Sequence, residues 1–368
     1  MISYTNLYKG KTVLVTGHTG FKGSWLASWL KILGANVFGI ALDPLTEPSH
    51  YASIKLSNEI NDLRIDIRDK DALETAMLSI KPDFIFHLAA QALIKKSYEN
   101  PLETWHTNLM GTLNILEAMR KLNKPCATVL ITSDKCYENV EWVWGYRETD
   151  AMGGIDPYSA SKGAAEIAIH SHIRSFFPKA STKVRIASAR AGNVIGGGDW
   201  SESRIVPDCI KSWAIGDKVK LRNPNSTRPW QHVLEPLSGY LLLALNLYEN
   251  DSLHGESFNF GPSSHSNFSV LSLAQEMSKY WDKVAWTDES HLNINQYEAG
   301  LLKLNCDKAL HYLNWRSILS FNETVKITAE WYKSYYLNPE QIYKVTQAQI
   351  SQYMTIAEEN NTLKFSDT

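Results

Sequence analysis

Cysteine is scarce: four residues in 368, Cys126, Cys136, Cys209 and Cys306, with no CxxC pair and no Cys/His cluster at metal-ligand spacing. That argues against a zinc site, so no metal is expected. So few thiols fit a reducing compartment, and the cytoplasm is the expected location. Long apolar runs are missing too. None approaches the ~20 residues of a membrane span, and the N-terminal MISYTNLYKGKTVLVTG has no signal-type apolar core. Charge of one sign is also absent. With 37 Lys and Arg against 39 Asp and Glu, the net charge of −2 supplies no general field for nucleic acid or anionic lipid. Neither repeats nor low-complexity tracts occur. What is plentiful is amphipathic aromatics, 12 Trp and 17 Tyr, which serve core and interface packing or line a pocket for a ring-shaped ligand.

Short β-branched runs alternate with longer amphipathic stretches through the first half of the chain. The pattern predicts strands at 12–16, 35–42, 63–67, 84–88, 128–132 and 183–190, with helices at 23–33, 69–80, 101–122 and 157–177. Such alternation builds a parallel sheet covered on both faces, an α/β doubly wound Rossmann architecture. After residue 193 the pattern loosens. GGGD at 196–199 and NPNSTRP at 223–229 read as loops, 207–215, 235–248, 270–281 and 321–336 as helices, and 257–260 as one more strand. Residues 1–193 are therefore expected to form a dinucleotide-binding domain, with 232–260 returning to it. Residues 194–231 and 261–368 are expected to form a smaller α+β domain, with the polar tail from 338 as a peripheral element.

The first strand runs into Gly17-His18-Thr19-Gly20-Phe21-Lys22-Gly23, a GxxGxxG turn opening directly into a helix. Glycines there let the backbone turn tightly and approach a pyrophosphate, which rests on the N–H groups of the helix N-terminus. Asp43 closes the second strand twenty residues after Gly23, where a carboxylate accepts from ribose hydroxyls and repels a 2′-phosphate. That favours NAD over NADP; the other reading of Asp43 is a turn residue. Asp66 and Ile67 follow the third strand, where they would flank the adenine. Leu88, Ala89, Ala90 and Gln91 follow the fourth, small enough to let a cofactor lie close.

Tyr158 and Lys162 open the second long helix in YSASK. A spacing of four places them on one face, about 5–6 Å apart at Cβ. An ammonium beside a phenol is expected to lower its pKa, making a base able to take a hydroxyl proton as hydride departs. Ser133 stands twenty-five residues upstream of Tyr158, after another strand, in TSDKCYEN. The next two residues, Asp134 and Lys135, are either an ion pair at a strand end or an acid and a base held for chemistry.

Taken together, GHTGFKG at 17–23, HLAAQ at 87–91, TNLMGTLNILEA at 107–118, TSDK at 132–135, YSASK at 158–162 and RAGNVIGGGDW at 190–200 resemble the extended short-chain dehydrogenase/reductase family, which modifies nucleotide sugars. The resemblance spans residues 9–335. It implies NAD as cofactor, with Asn108 of the TNLM segment on the cofactor side, and Ser133, Tyr158 and Lys162 acting on the sugar C4 hydroxyl. Asp134 and Lys135 fall where the family's 4,6-dehydratases carry an acid and a base. In that chemistry C4 oxidation acidifies the C5 hydrogen, water leaves across C5 and C6, and hydride returns to C6. Asp134 would protonate the departing hydroxyl. Lys135 would take the C5 proton once uncharged or, still charged, orient Asp134 or stabilise an enolate.

The resemblance further implies that Asn193, Arg204 and Arg228 hold the substrate's phosphates, Arg228 through its planar fork; the other reading of Arg228 is a surface loop arginine. Trp200 and Trp230 suit either a sugar or the core, and His232 reads as structural. The implied substrate is a nucleoside-diphosphate glucose, CDP-glucose by resemblance alone. A homodimer or homotetramer through a bundle of the two long helices is also implied. The rival readings are a nucleotide-sugar 4-epimerase, which needs no Asp134-Lys135 pair, and a non-catalytic dinucleotide sensor, which needs no Tyr158 base.

Overall fold

The β-branched runs of the first half pair side by side, all parallel, in a seven-stranded sheet. In the computed structural model, which describes residues 7–179, 182–263, 265–290 and 300–360, its strands are β1 (Thr12–Thr16), β2 (Asn36–Ala41), β3 (Asn61–Arg64), β4 (Phe84–His87), β5 (Cys126–Ile131), β6 (Val184–Arg190) and β7 (Ser257–Asn259). Their spatial order is β7-β6-β5-β4-β1-β2-β3. The order reverses between β1 and β4, which opens a crevice at their C-terminal ends.

Both faces of the sheet are buried, which explains why its strands read as continuous apolar runs. Along β1, Val13 and Val15 enter one core while Leu14 enters the other; along β5, Val129 and Leu130 divide the same way. Helix α1 (Phe21–Ile32) covers the first face with Trp25, Leu26, Trp29 and Leu30. The other face is covered by α2 (Lys70–Ile80), by α4 (Gly111–Arg120), which follows α3 (Pro101–Trp105), and by α5 (Pro157–Phe176). Helices α3 and α4 form the long helix expected at 101–122, but a π-helical turn, His106–Met110, separates them. Asn108 in that turn is buried and bonded to both Gln91 and Ser161, so the wide turn carries one polar side chain inward.

Beyond β6 the chain makes only short pairings. Val194–Ile195 pairs with Gln231–His232, Thr227–Arg228 with Phe268–Ser269, and Val219–Leu221 with Trp286–Asp288. Helix α6 (Ile205–Ala214) lies among them, and α7 (Leu234–Glu249) returns to the first face of the sheet, leading on to β7.

The polar tail is not peripheral. Helix α8 (Phe321–Leu337) is followed by α9 (Ile342–Glu359), which buries Ile342, Thr346, Ile350, Tyr353 and Ala357 against α1 and α8. Spacings of four, four, three and four put these five on one stripe, hidden in the sequence by the polar residues of the other faces. Tyr353 packs edge-on to Trp29 at 5.5 Å and donates to the Glu235 carboxylate at 2.8 Å. Residues 1–6, 180–181, 264, 291–299 and 361–368 of the two expected domains lie outside the described residues.

Candidate active site

The crevice starts at the glycine turn. Gly17 has φ +77°, and a Cβ there would lie 2.7 Å from the Ala89 backbone nitrogen; one on Gly23 would lie 2.1 Å from the Gly17 oxygen. Only glycine permits this close approach of turn, helix and β4 loop. The first N–H groups of α1 lie beyond Gly20, its N-cap. This is a cradle of the kind that holds a pyrophosphate, so the residues present fit a dinucleotide. Thr19 is tied to the wall by its hydroxyl, which donates to the Leu42 oxygen at 2.9 Å.

Asp43 is exposed at the end of β2 and paired with Arg64 at 2.9 Å. Asp66 turns to Arg68, at 2.6 Å, whose hydrogen bond holds the carboxyl below its ordinary range despite partial burial. Ile67 is buried against Gly111. Leu88, Ala89, Ala90 and Gln91 are half-buried along the crevice wall. Asn108 accepts from the Gln91 N–H at 2.8 Å and donates to the Gln91 oxygen and to Ser161 Oγ, at 3.0 and 2.9 Å. Both amide hydrogens are spent inside the protein, so Asn108 braces this wall.

At the end of β5 a 3₁₀ turn, Asp134–Cys136, follows Ser133. It sends neighbouring side chains about 120° apart. Asp134 is buried while Lys135 keeps partial exposure. The two form no ion pair with one another. Asp134 Oδ1 accepts from Ser133 Oγ at 2.9 Å and Oδ2 from Asn193 Nδ2 at 3.3 Å. Among the described residues Lys135 has no ionic partner, and its backbone N–H donates to Ser133 Oγ at 3.2 Å. The strand-end ion pair considered from the sequence is thereby overturned.

Asp156 caps α5, accepting from the Ser159 N–H and hydroxyl at 2.9 and 2.6 Å, and so fixes the helix start one residue from Tyr158. Tyr158 and Lys162 are both buried. The expected fall in the Tyr158 pKa is not found. Burial pushes the phenol up to about 12, against the lowering effect of a Ser133 hydrogen bond and of Arg204, while Asp134 adds to the rise. The ammonium yields instead: burial and the nearby Lys22 bring Lys162 down to about 8, with Glu166 opposing. Lys22 is likewise brought to about 8 by burial, with Asp134 and Asp199 opposing.

Ser133, Asp134, Tyr158, Lys162, Lys22, Asn193 and Arg204 thus meet at one place. Arg204 is anchored to Asp199 at 2.7 Å, a residue sequence reasoning passed over as part of a glycine loop. Gln231, between Trp230 and His232, stands in no motif that marks it in the sequence. Its N–H donates to the Asn193 oxygen at 3.1 Å and its amide to the Gly192 oxygen at 2.9 Å, fixing the Asn193 turn. Arg228 lies three residues before Gln231, half-buried, and donates to the Thr227 oxygen at 2.8 Å. Trp200 packs on Tyr332 and Tyr335, and His232 is fully buried, so both belong to the core.

Residues 14–328 match the family model described as GDP-mannose 4,6 dehydratase. The chain belongs to that family. Among its family relatives, the CDP-glucose 4,6-dehydratase of Salmonella typhimurium is 45% identical over 95% of this chain and 98% of its own. A UDP-glucose 4-epimerase of Mycoplasma pneumoniae is 26% identical over 88% of this chain and 97% of its own. Two solved structures share the family fold. A Thermotoga maritima UDP-glucose 4-epimerase with UDP-glucose superposes with TM-score 0.73, 23% identity, and coverage of 88% of this chain and 99% of its own. A Bacillus anthracis dTDP-glucose 4,6-dehydratase in complex with NAD gives 0.71, 18%, 92% and 100%. An epimerase and a dehydratase thus share this fold, and the chemistry must be read from the residues at its site.

Proposed function

We propose that this protein is an NAD-dependent nucleotide-sugar 4,6-dehydratase that converts CDP-glucose to CDP-4-keto-6-deoxyglucose, a step of deoxysugar biosynthesis. One observation carries the reading: a buried carboxylate, Asp134, shares the Ser133 hydroxyl beside Tyr158. An epimerase needs only a base at C4, and a sensor needs neither group.

NAD, when bound, accepts hydride, returns it, and brings a formal positive charge to the nicotinamide. The glycine turn Gly17–Gly23, with Thr19, Phe21 and Lys22, would hold its pyrophosphate. Asp43 would hold its ribose, Asp66 and Ile67 would border its adenine, and Leu88–Gln91 with Asn108 would form its wall. Tyr158, helped by Ser133, takes the C4 hydroxyl proton. With its pKa at about 12, the phenol needs a cation close by to serve as a base near neutrality. Lys162, one turn along α5, positions the cofactor side of the site. Asp134, entering this step protonated, gives its proton to the C6 hydroxyl as it leaves. Lys135, if uncharged, takes the C5 proton, or, if charged, is counter-charge to the enolate while a second base takes that proton.

Asn193, Arg204 and Arg228 would take the phosphates. Asn193 is already joined to Asp134, which links substrate grip to the acid. The Salmonella relative's name supports the cytidine nucleotide. A homodimer or homotetramer through α3–α5, a cytoplasmic location and the two-domain division are part of the same reading. Exposed Leu102, Met110, Ile167 and Phe176 on these helices suit such a contact.

Incubation with CDP-, dTDP-, UDP- and GDP-glucose tests the reading. CDP-glucose should yield a 4-keto-6-deoxy sugar. A C4 epimer without loss of water would favour the epimerase, and no turnover of any of them would favour the sensor.

A further inference from the structure

Behind the reacting groups lies an ion pair for which the proposed chemistry has no use. Glu166 and Arg190 have no solvent-exposed side-chain surface. Glu166 Oε1 accepts from Arg190 Nε at 2.9 Å and from Thr132 Oγ1 at 2.5 Å. Oε2 accepts from Arg190 Nη2 at 2.9 Å and from Ser188 Oγ at 2.8 Å. Burial alone would push the Glu166 carboxyl up, but the Arg190 charge and these hydrogen bonds hold it down at about 2. Arg190 Nη1 reaches on to Tyr137 Oη at 2.6 Å, which donates to Asn259 Oδ1 at 2.8 Å.

Burying two charges costs desolvation that their attraction does little more than offset, so such a pair is weak support for stability. Its placement is more telling. Glu166 is one turn beyond Lys162 and two beyond Tyr158, on the same face of α5. Thr132, its partner on the other side, immediately precedes Ser133 and Asp134. Arg190 ends β6 and comes two residues before the Gly192–Asn193 turn that touches Asp134. The bidentate fork therefore joins the three segments bearing the candidate reacting groups: the β5 end, the start of α5 and the β6 end.

We infer that the Glu166–Arg190 pair, through Thr132, is a positioning clamp that sets Ser133 and Asp134 at their working distance from Tyr158. The reaction affected is the one proposed above, and the inference rests on that reading for its kinetic consequence but not for its geometry. A misplacement of ~1 Å costs up to ~100-fold in rate, so the clamp acts on turnover rather than on binding.

Thr132→Val tests this, because it keeps the side-chain shape and leaves the ion pair intact. We expect kcat with CDP-glucose to fall ~10-fold or more, with KM and NAD affinity close to wild type and Tm lowered by only a few degrees for the lost donor to Glu166, and Thr132→Ser to recover most of the loss. In a crystal structure of Thr132→Val, the Ser133 and Asp134 side chains should be displaced from Tyr158. Undiminished kcat in an active enzyme, a loss confined to KM, or a serine variant no better than valine would overturn the clamp. An inactive wild type would refute the functional reading instead, and the crystal structure would then decide: unmoved Ser133 and Asp134 overturn the clamp, displaced ones support it.

Discussion

Asp134 and Gly192 meet so closely that a Cβ on Gly192 would lie 1.8 Å from the Asp134 Oδ2. The absence of one side chain thus sets the position of the candidate acid. Gly192→Ala must push the carboxylate aside or shift the Asn193 turn. We expect oxidation at C4 to survive better than dehydration, so that reduced cofactor accumulates with substrate. Stopped-flow absorbance of the reduced nicotinamide checks this, and an unchanged ratio of the two steps would contradict it.

Tyr158→Phe removes the base while leaving the glycine cradle intact. C4 oxidation should fall by at least ~100-fold, in keeping with the loss of a general base, while NAD affinity by calorimetry stays near wild type. Full activity would remove Tyr158 from the mechanism.

Lys135→Met separates the two roles left to this lysine. If Lys135 is the C5 base, oxidation persists but solvent deuterium no longer enters C5. Deuterium entry at the wild-type rate would leave Lys135 as an electrostatic or orienting group.

Stability should decline from pH 7 towards pH 5, with a sign fixed by buried groups. Burial holds His50, His87 and His232 at about 3 when folded, below their ordinary 6.5, so near pH 5.5 unfolding takes up close to three protons. Glu235 works the other way: burial raises it to about 7, so it stays protonated when folded and releases about one proton on unfolding at that pH. Three minus one leaves a net uptake of about two protons, or ~3 kcal/mol of stability lost per pH unit as pH falls. Lowered values for His18, His170 and His254 act in the same direction. Urea unfolding at a series of pH values measures the slope, and a flat profile would contradict the assignment.

Removal of residues 342–368 should destabilise the enzyme rather than trim a tail. Full burial of apolar side chains such as Ile350 and Tyr353 contributes ~1.5–3 kcal/mol each, and the Glu235 carboxyl would lose a donor. A Tm within about 2 °C of the full chain would show the helix to be dispensable, since 1 kcal/mol shifts Tm by only a few degrees.

The sheet was legible because buried parallel strands carry local signals: β1 spans the residues its pattern indicates, and every other strand end lies within three residues of the expected one. The glycine turn, Tyr158, Lys162 and Ser133 were legible for the same reason, since each motif is contiguous and stands at a strand or helix end. The docked α9 was obscured because its stripe is diluted by polar neighbours, and the π-turn at Asn108 because one residue of extra winding leaves no compositional trace.

Local sequence by itself determined the strand–turn–helix units and which residues stand at their ends, because backbone preference and hydrophobic period act over a few neighbours. Only the tertiary structure decided the relations between them. It gave Asp134 to Ser133 and Asn193 rather than to Lys135, raised the Tyr158 phenol where an adjacent ammonium was expected to lower it, and joined Glu166 to Arg190 across two elements. Burial, hydrogen-bond partnership and field are properties of groups distant in the chain, so they exist only once the sheet has brought those groups together.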